Sequence, residues 1–163
     1  MIERTLVLLK PDAVKRGVMG EIVARFEKVG MKIVAMRLAW VSEEKAKAHY
    51  TEDIAVRRGE HVRKYLIDFI TSGPVLAFVV EGVDAIDNVR MMVGATEPKS
   101  ATPGTIRGDY SHVSYSHADT EKKVVANLVH ASADKADAER EIYVWFNEDE
   151  IFDYKTVYEA HTL

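Results

Sequence analysis

The sequence predicts an α+β protein: a four-stranded antiparallel sheet covered by helices in the ferredoxin-like order βαββαβ. Three observations carry this expectation. Apolar runs of strand length alternate with stretches whose apolar residues fall at helical spacing. Gly, Pro and small polar residues mark the boundaries between them. The elements then succeed one another as strand, helix, strand, helices, strand, helix, long loop and strand, which suits an antiparallel sheet with helices packed on one face.

Residues 4–9, all but the first two apolar, read as a buried first strand. Lys10-Pro11-Asp12 closes it, because Pro11 cannot donate to a ladder and Asp12 favours a turn. Lys10 therefore stands at a strand end. Residues 20–29 form a helix with Ile22, Val23, Phe26 and Val29 on one face, stopped by Gly30. Residues 32–41 alternate, with Ile33, Ala35, Arg37 and Ala39 on one side and Val34, Met36, Leu38 and Trp40 on the other. This predicts a second strand with the larger apolar face inward. Ser42 caps a helix running through Tyr50, its two leading acids matching the amino-terminal dipole. Residues 51–59 are polar and irregular. A helix over 61–71 buries Leu66, Ile67, Phe69 and Ile70, and a third strand follows at 75–80. A helix over 84–93 carries Val89, Met92 and Val93 inward and ends at Gly94. Residues 95–126 give no convincing helix or strand before Val124-Val125. So long a loop in a small chain points to function, and this one carries Arg107. Residues 142–146 read as the last strand, and 147–163 as a polar, aromatic-bearing tail.

A chain of 163 residues is expected to form a single domain spanning 1–163. Its 47% hydrophobic and 29% charged content is ordinary for a soluble globular protein. The absence of cysteine excludes disulfides, thiolate metal sites and a cysteine nucleophile, and fits a reducing compartment. No run is long enough for a signal peptide or a membrane span, so a cytoplasmic location is expected. A net charge of −4 argues against a broad nucleic-acid surface. Arg57, Arg58, Arg63 and Lys64 read as a solvated helix face rather than a nucleic-acid contact. An anionic ligand must instead be met by a few converging cations.

The stretch Asn127-Leu128-Val129-His130-Ala131-Ser132-Ala133-Asp134 delivers one imidazole to the edge of a small, polar cluster. On one straight helix, His130 and Glu141 would lie about 16 Å apart. They meet only if the chain folds back. Ala131-Ser132-Ala133 supplies a turn, and Ser132 or Asp134 a cap for a short helix reaching about Arg140. Glu141 then accepts a hydrogen bond from one ring nitrogen and leaves the other to react. Taken alone, the bland alternative, a satisfied core or loop histidine, outweighs this.

Three separated motifs shift that balance. Arg4-Thr5-Leu6-Val7-Leu8-Leu9-Lys10-Pro11-Asp12-Ala13-Val14, Pro103-Gly104-Thr105-Ile106-Arg107-Gly108-Asp109 and Asn127-Leu128-Val129-His130-Ala131-Ser132 resemble, in this order, the nucleoside diphosphate kinase family. The likeness runs from Glu3 to about Phe146. It implies that His130 takes the terminal phosphate of a nucleoside triphosphate, mainly ATP, and passes it to a nucleoside diphosphate by a ping-pong mechanism. It further implies that Glu141 holds the non-reacting side of the ring and that Ser132 assists beside it. Lys10 and Tyr50 would lie near the transferring phosphate, Arg90, Thr96 and Arg107 would bind the distal phosphates, and Asn127 with Lys10 would meet the sugar. Magnesium would arrive bridging the nucleotide phosphates, with no dedicated protein metal site. The resemblance also implies a homo-oligomer, hexamer or tetramer.

This sequence departs from the family pattern in places. Where the family has an aromatic residue that stacks on the base, the segment 56–62 is longer and has none in register, so base binding is expected either to be weaker or to be supplied by His61 or Tyr65. Residues 110–123, with His112, Tyr115 and His117, are an expansion that either reshapes the nucleotide cleft or makes an oligomer contact. The rival reading is a non-catalytic, nucleotide-binding regulatory protein of the same fold. The joint presence of His130, Glu141, Lys10, Arg90, Arg107 and Asn127 argues against it.

Overall fold

The structure, a computed structural model, describes residues 1–162. Four strands, β1 (Ile2–Leu9), β2 (Lys32–Trp40), β3 (Pro74–Val83) and β4 (Val129–Ala131), form a sheet in the order β2-β3-β1-β4. Every pairing is antiparallel, as expected. The helices are α1 (Pro11–Lys15), α2 (Met19–Lys28), α3 (Glu43–His49), α4 (Glu52–Arg58), α5 (Glu60–Ile70), α6 (Ala85–Val93), α7 (Ile106–Tyr110), α8 (Tyr115–Thr120), α9 (Lys135–Trp145) and α10 (Glu159–Thr162).

The central strands β1 and β3 are apolar throughout Leu6 to Leu9 and Val75 to Val80, and there they are covered on both faces, not one. Leu6 and Leu8 pack with Val75, Ala77 and Val79 against α3, α5 and α9. Val7 and Leu9 pack with Leu76, Phe78 and Val80 against α1, α2 and α6. A run that is apolar at consecutive positions has to bury both faces, since successive side chains point oppositely.

The final strand is not residues 142–146. Asp134 caps α9, its side chain accepting from Asp137 N–H at 2.9 Å, and the helix continues to Trp145. Ala138, Glu141, Ile142 and Trp145 are its buried residues, a spacing of three, one and three that belongs to a helical stripe. Tyr143, which an alternating strand reading also leaves outside, is exposed. The fourth strand is the short β4, which places His130 opposite Leu8.

The expected inward face of β2 is also corrected. Met36, Leu38 and Trp40 are 47%, 54% and 70% exposed. A register shift between Ile33 and Ala35 changes which residues face the core, and β2 is an edge strand. Its amino-terminal half is covered by the tail: Phe152 N–H donates to Val34 O at 2.8 Å, and Tyr154 Oη–H to Ile33 O at 2.7 Å. The end of the tail, Leu163, lies outside the described residues.

Three stretches read as irregular are short helices. Pro11 occupies the first turn of α1, where its missing N–H is not needed. α4 carries acids in its first turn and Arg57 and Arg58 in its last, the order the helix dipole favours, and ends at Gly59 with φ of 96°. In the long loop, Thr105 caps α7 by accepting from Gly108 N–H, and Ser114 caps α8 by accepting from His117 N–H. Val124-Val125 adds no strand.

Candidate active site

Alternation along β1 sets the site. Leu6 and Leu8 face the layer of α3, α5 and α9, and Lys10, two residues on, leaves the strand end with the same parity. His130, paired with Leu8, faces that layer too. The carboxyl end of α3 brings His49 and Tyr50 to the same place, and the buried stripe of α9 brings Glu141. From the opposite layer α7 sends Arg107 across the strand ends.

The chain does fold back between His130 and Glu141. Nε2–H of His130 donates to Oε2 of Glu141 at 2.8 Å, and Ser132 Oγ–H donates to the same oxygen at 2.7 Å. With Nε2 engaged, Nδ1 is the ring nitrogen left for chemistry. Burial by itself would raise the Glu141 pKa. The hydrogen bond and charge of His130, with His49 and Ser132, outweigh it and hold the carboxylate down to about 2.

Lys10 is buried. Its Nζ donates to Oδ1 of Asn127 and lies 5.7 Å from the ring centre of Phe69. Burial pushes its ammonium down to about 8, with Asp12 acting in the opposite sense. Asn127 Nδ2 donates to Thr96 O at 2.7 Å, which ties the two loops together. Arg107 spends three donors on backbone carbonyls: Nε on Asn127 O at 3.3 Å, Nη1 on Gly94 O at 2.9 Å and Nη2 on Val129 O at 2.6 Å. A guanidinium has five N–H donors, so two remain for a ligand. Burial lowers Arg107 to about 10, still an ion at neutral pH. Burial likewise raises the Tyr50 phenol, which stays neutral.

These groups line one cleft of about 480 Å³, with Lys10, Tyr50, Thr96, Arg107, Asn127, His130 and Glu141 in its wall. An adjoining recess of about 200 Å³ adds Arg90 and shares Thr96, Arg107 and His130. All the sequence-predicted site residues thus border one connected region, except Ser132, which braces Glu141 from behind. A Met-lined hollow of similar size, about 440 Å³ beside Met31, Met91 and Met92, holds no such convergence of ionisable groups.

His49 was missed. It is fully buried, its ring centre 4.5 Å from that of His130 at 85°, and its Nδ1 accepts from Trp145 Nε1–H at 3.3 Å. Burial, reinforced by His130, pushes it down to about 3, so it packs as a neutral ring. The signal was present in the spacing Ala46, His49, Tyr50, which puts the imidazole on the buried stripe of α3. His49, His130 and Glu141 are the one group of possible metal ligands found among the described residues, their ligand atoms within 4.8 Å of one another. His130 Nε2 is committed to Glu141, His49 Nδ1 to Trp145 and Oε2 of Glu141 to Ser132 as well, while the buried His49 Nε2 has no hydrogen-bond partner among the described residues.

The outer wall differs from expectation. Thr51, Asp53, Ile54, Arg57, Arg58, Leu66 and Arg140 line it, whereas His61 and Tyr65 do not; they pack on each other with ring centres 6.1 Å apart. Arg57 and Lys64 pair with Asp53 and Asp68 along their own helices, and Arg63 donates to Tyr50 O. The expanded segment 110–123 stays out of both hollows and docks on the turn at 97–100. There Tyr115 N–H donates to Glu97 Oε1 at 2.8 Å and Lys99 N–H to Val113 O at 3.1 Å.

Fold and site together define a class: an α+β protein whose cleft sets a carboxylate-braced imidazole among buried cations. The family model described as nucleoside diphosphate kinase matches residues 3–151. A nucleoside diphosphate kinase of Pyrococcus abyssi is 53% identical over 152 residues, 93% of this chain and 89% of that protein. One from Borreliella burgdorferi is 49% identical over 156 residues, 95% and 93% of the two. A solved structure described as a transition-state mimic of the Borrelia burgdorferi nucleoside diphosphate kinase, with bound vanadate and ADP, superposes with a TM-score of 0.97. It is 48% identical and covers 99% of this chain and 96% of that one. The chain belongs to the nucleoside diphosphate kinase family.

Proposed function

We propose that this protein moves the terminal phosphoryl group of a nucleoside triphosphate, mainly ATP, onto a nucleoside diphosphate through a phosphohistidine at His130. The observation that carries the reading is the pairing of His130 Nε2–H with the buried Glu141 carboxylate beside Lys10 and Arg107. Nδ1 attacks the terminal phosphorus in line as the bond to the leaving diphosphate oxygen breaks. The ring becomes cationic in that step, and Glu141 stabilises it through Nε2–H. The second diphosphate then attacks the phosphohistidine in the reverse sense. Lys10, Arg107 and the exposed Arg90 offset charge on the phosphate oxygens, while Thr96 and the neutral Tyr50 offer hydroxyl donors. Ser132 fixes the carboxylate. Asn127 positions Lys10 and faces the sugar.

The cleft supplies cations and engaged carboxylates, a donor set that suits magnesium carried in on the nucleotide phosphates rather than held by the protein. The Borrelia burgdorferi relative, described with bound vanadate and ADP, supports the nucleotide substrates. Ile54 and Leu66 offer an aliphatic wall for the base in place of a stacking ring. We further read residues 1–163 as one catalytic domain acting in the cytoplasm; no helix among the described residues is long and apolar enough to cross a membrane. The exposed Met36, Leu38 and Trp40 on an edge strand support a homo-oligomer, hexamer or tetramer. The test of the reaction is steady-state transfer from ATP to a second diphosphate. Parallel double-reciprocal lines are expected, and intersecting lines, or no transfer, contradict the reading.

A further inference from the structure

Asp12 has no part in the roles given above, yet segments of the site meet on it. Leu128, fully buried and not a glycine, has φ of 68°, and Val129 N–H donates to Asn127 O at 2.7 Å. Asn127, Leu128 and Val129 therefore close a three-residue γ-turn of the strained, left-handed kind. Such a conformation costs an L-residue free energy and persists only where its surroundings over-determine it. Here Leu128 N–H donates to Oδ2 of Asp12 at 2.9 Å, and Leu128 O accepts from Lys10 N–H at 2.8 Å. Both clamps come from Lys10-Pro11-Asp12, where Pro11 fixes the backbone between them. Asn127 enters this turn and His130 leaves it two residues on. Were Leu128 to relax to an extended conformation, the two side chains could not both keep their places in the cleft.

A second observation concerns charge. Oδ1 of Asp12 is buried and has no hydrogen-bond partner among the described residues. The groups acting on the buried Lys10 are Arg107 from α7, His49 from α3, the amide of Asn127, the ring of Phe69 from α5, and Asp12. Of these, Asp12 alone is a carboxylate.

We propose that Asp12 is a positioning residue of this site, one that holds the turn separating Asn127 from His130 and supplies the negative charge that keeps Lys10 an ammonium. The inference rests on the roles proposed above for His130 and Lys10. D12A removes both the acceptor and the charge, whereas D12N keeps an acceptor for Leu128 N–H and removes the charge. D12A is expected to lose about 100-fold in kcat with a smaller change in KM, because displacement of the reacting groups by about 1 Å costs that much. D12N should retain most of the activity at pH 6.5. Its kcat should fail at lower pH on the basic side than wild type, since Lys10 then loses its counter-charge and sheds its proton earlier. Thermal melts establish that each variant is folded. A folded D12A with kcat within twofold of wild type overturns the proposal, as does a D12N basic limb that coincides with wild type. If D12A does not fold, the D12N profile decides alone. Wild type run alongside separates the two readings: no phosphoryl transfer by wild type removes the function itself, and an active wild type beside an unaffected D12A removes only Asp12.

Discussion

Replacing Glu141 by glutamine tests the brace behind His130 while keeping its size and its oxygen. Glu141 is almost fully buried and contacts Nε2–H at 2.8 Å, so solvent screens the pair little. A hydrogen bond to a charged group contributes about 1.5–3 kcal/mol, against about 1 kcal/mol for a neutral one. As Nδ1 attacks phosphorus the ring turns cationic, and the carboxylate is worth most at that moment. The difference, about 1–2 kcal/mol, corresponds to a loss of roughly 5- to 30-fold in the rate of phosphorylation. Nucleotide affinity should hardly change, because Glu141 touches the back of the ring and not the phosphates. The assay is a single-turnover rapid quench with ATP in excess, together with a binding measurement on the same variant. A phosphorylation rate within twofold of wild type refutes the reasoning. So does a loss that appears wholly in affinity.

Other consequences are open to measurement. His49 is held far below its unfolded pKa, so as pH falls the unfolded chain binds the proton first, and stability declines from about pH 6.5 down towards pH 3. At about 1.4 kcal/mol per pH unit, the loss by pH 5 is about 2 kcal/mol; urea midpoints at pH 7 and pH 5 should converge in H49F, and an unchanged gap between them would count against a buried neutral imidazole. R107K keeps the charge but cannot reach three carbonyls. It should raise KM for nucleotide and cost about 1–3 kcal/mol of stability per carbonyl left unpaired, and an unaltered Tm would show the fork to be dispensable. M36E with L38E places two charges on the exposed edge of β2. Sedimentation should show a smaller assembly with the fold intact, and an unchanged sedimentation coefficient would remove β2 from the contact.

Much of this molecule was legible because local and long-range signals agree in it. Continuous apolar runs in β1 and β3 announce central strands, Ser42 announces the start of α3, and Gly94 with φ of 85° the end of α6. The failures have physical causes. Ile142 to Phe146 is rich in β-branched and aromatic residues, and only its phase relative to Ala138 and Glu141 marks it as helix. Met36, Leu38 and Trp40 alternate as core residues do, and no local feature signals a register shift or an edge position. Of the short helices, α7 and α8 have side-chain caps and α1 and α4 do not, and in all four periodicity over five to seven residues is too brief to read. In the site, the residues to which the family resemblance gives roles were nameable in advance. His49 and Asp12 were not: one joins through tertiary packing of α3 on α9, the other through a turn 116 residues away.

The central claim, that His130 carries the phosphoryl group, is tested most directly by incubating the protein with ATP labelled in the terminal phosphate and isolating it free of nucleotide. One acid-labile, base-stable label per chain is expected at His130, absent from H130G and discharged by an added nucleoside diphosphate. Folded wild-type protein that takes up no label, or H130G that takes it up equally, would contradict the account.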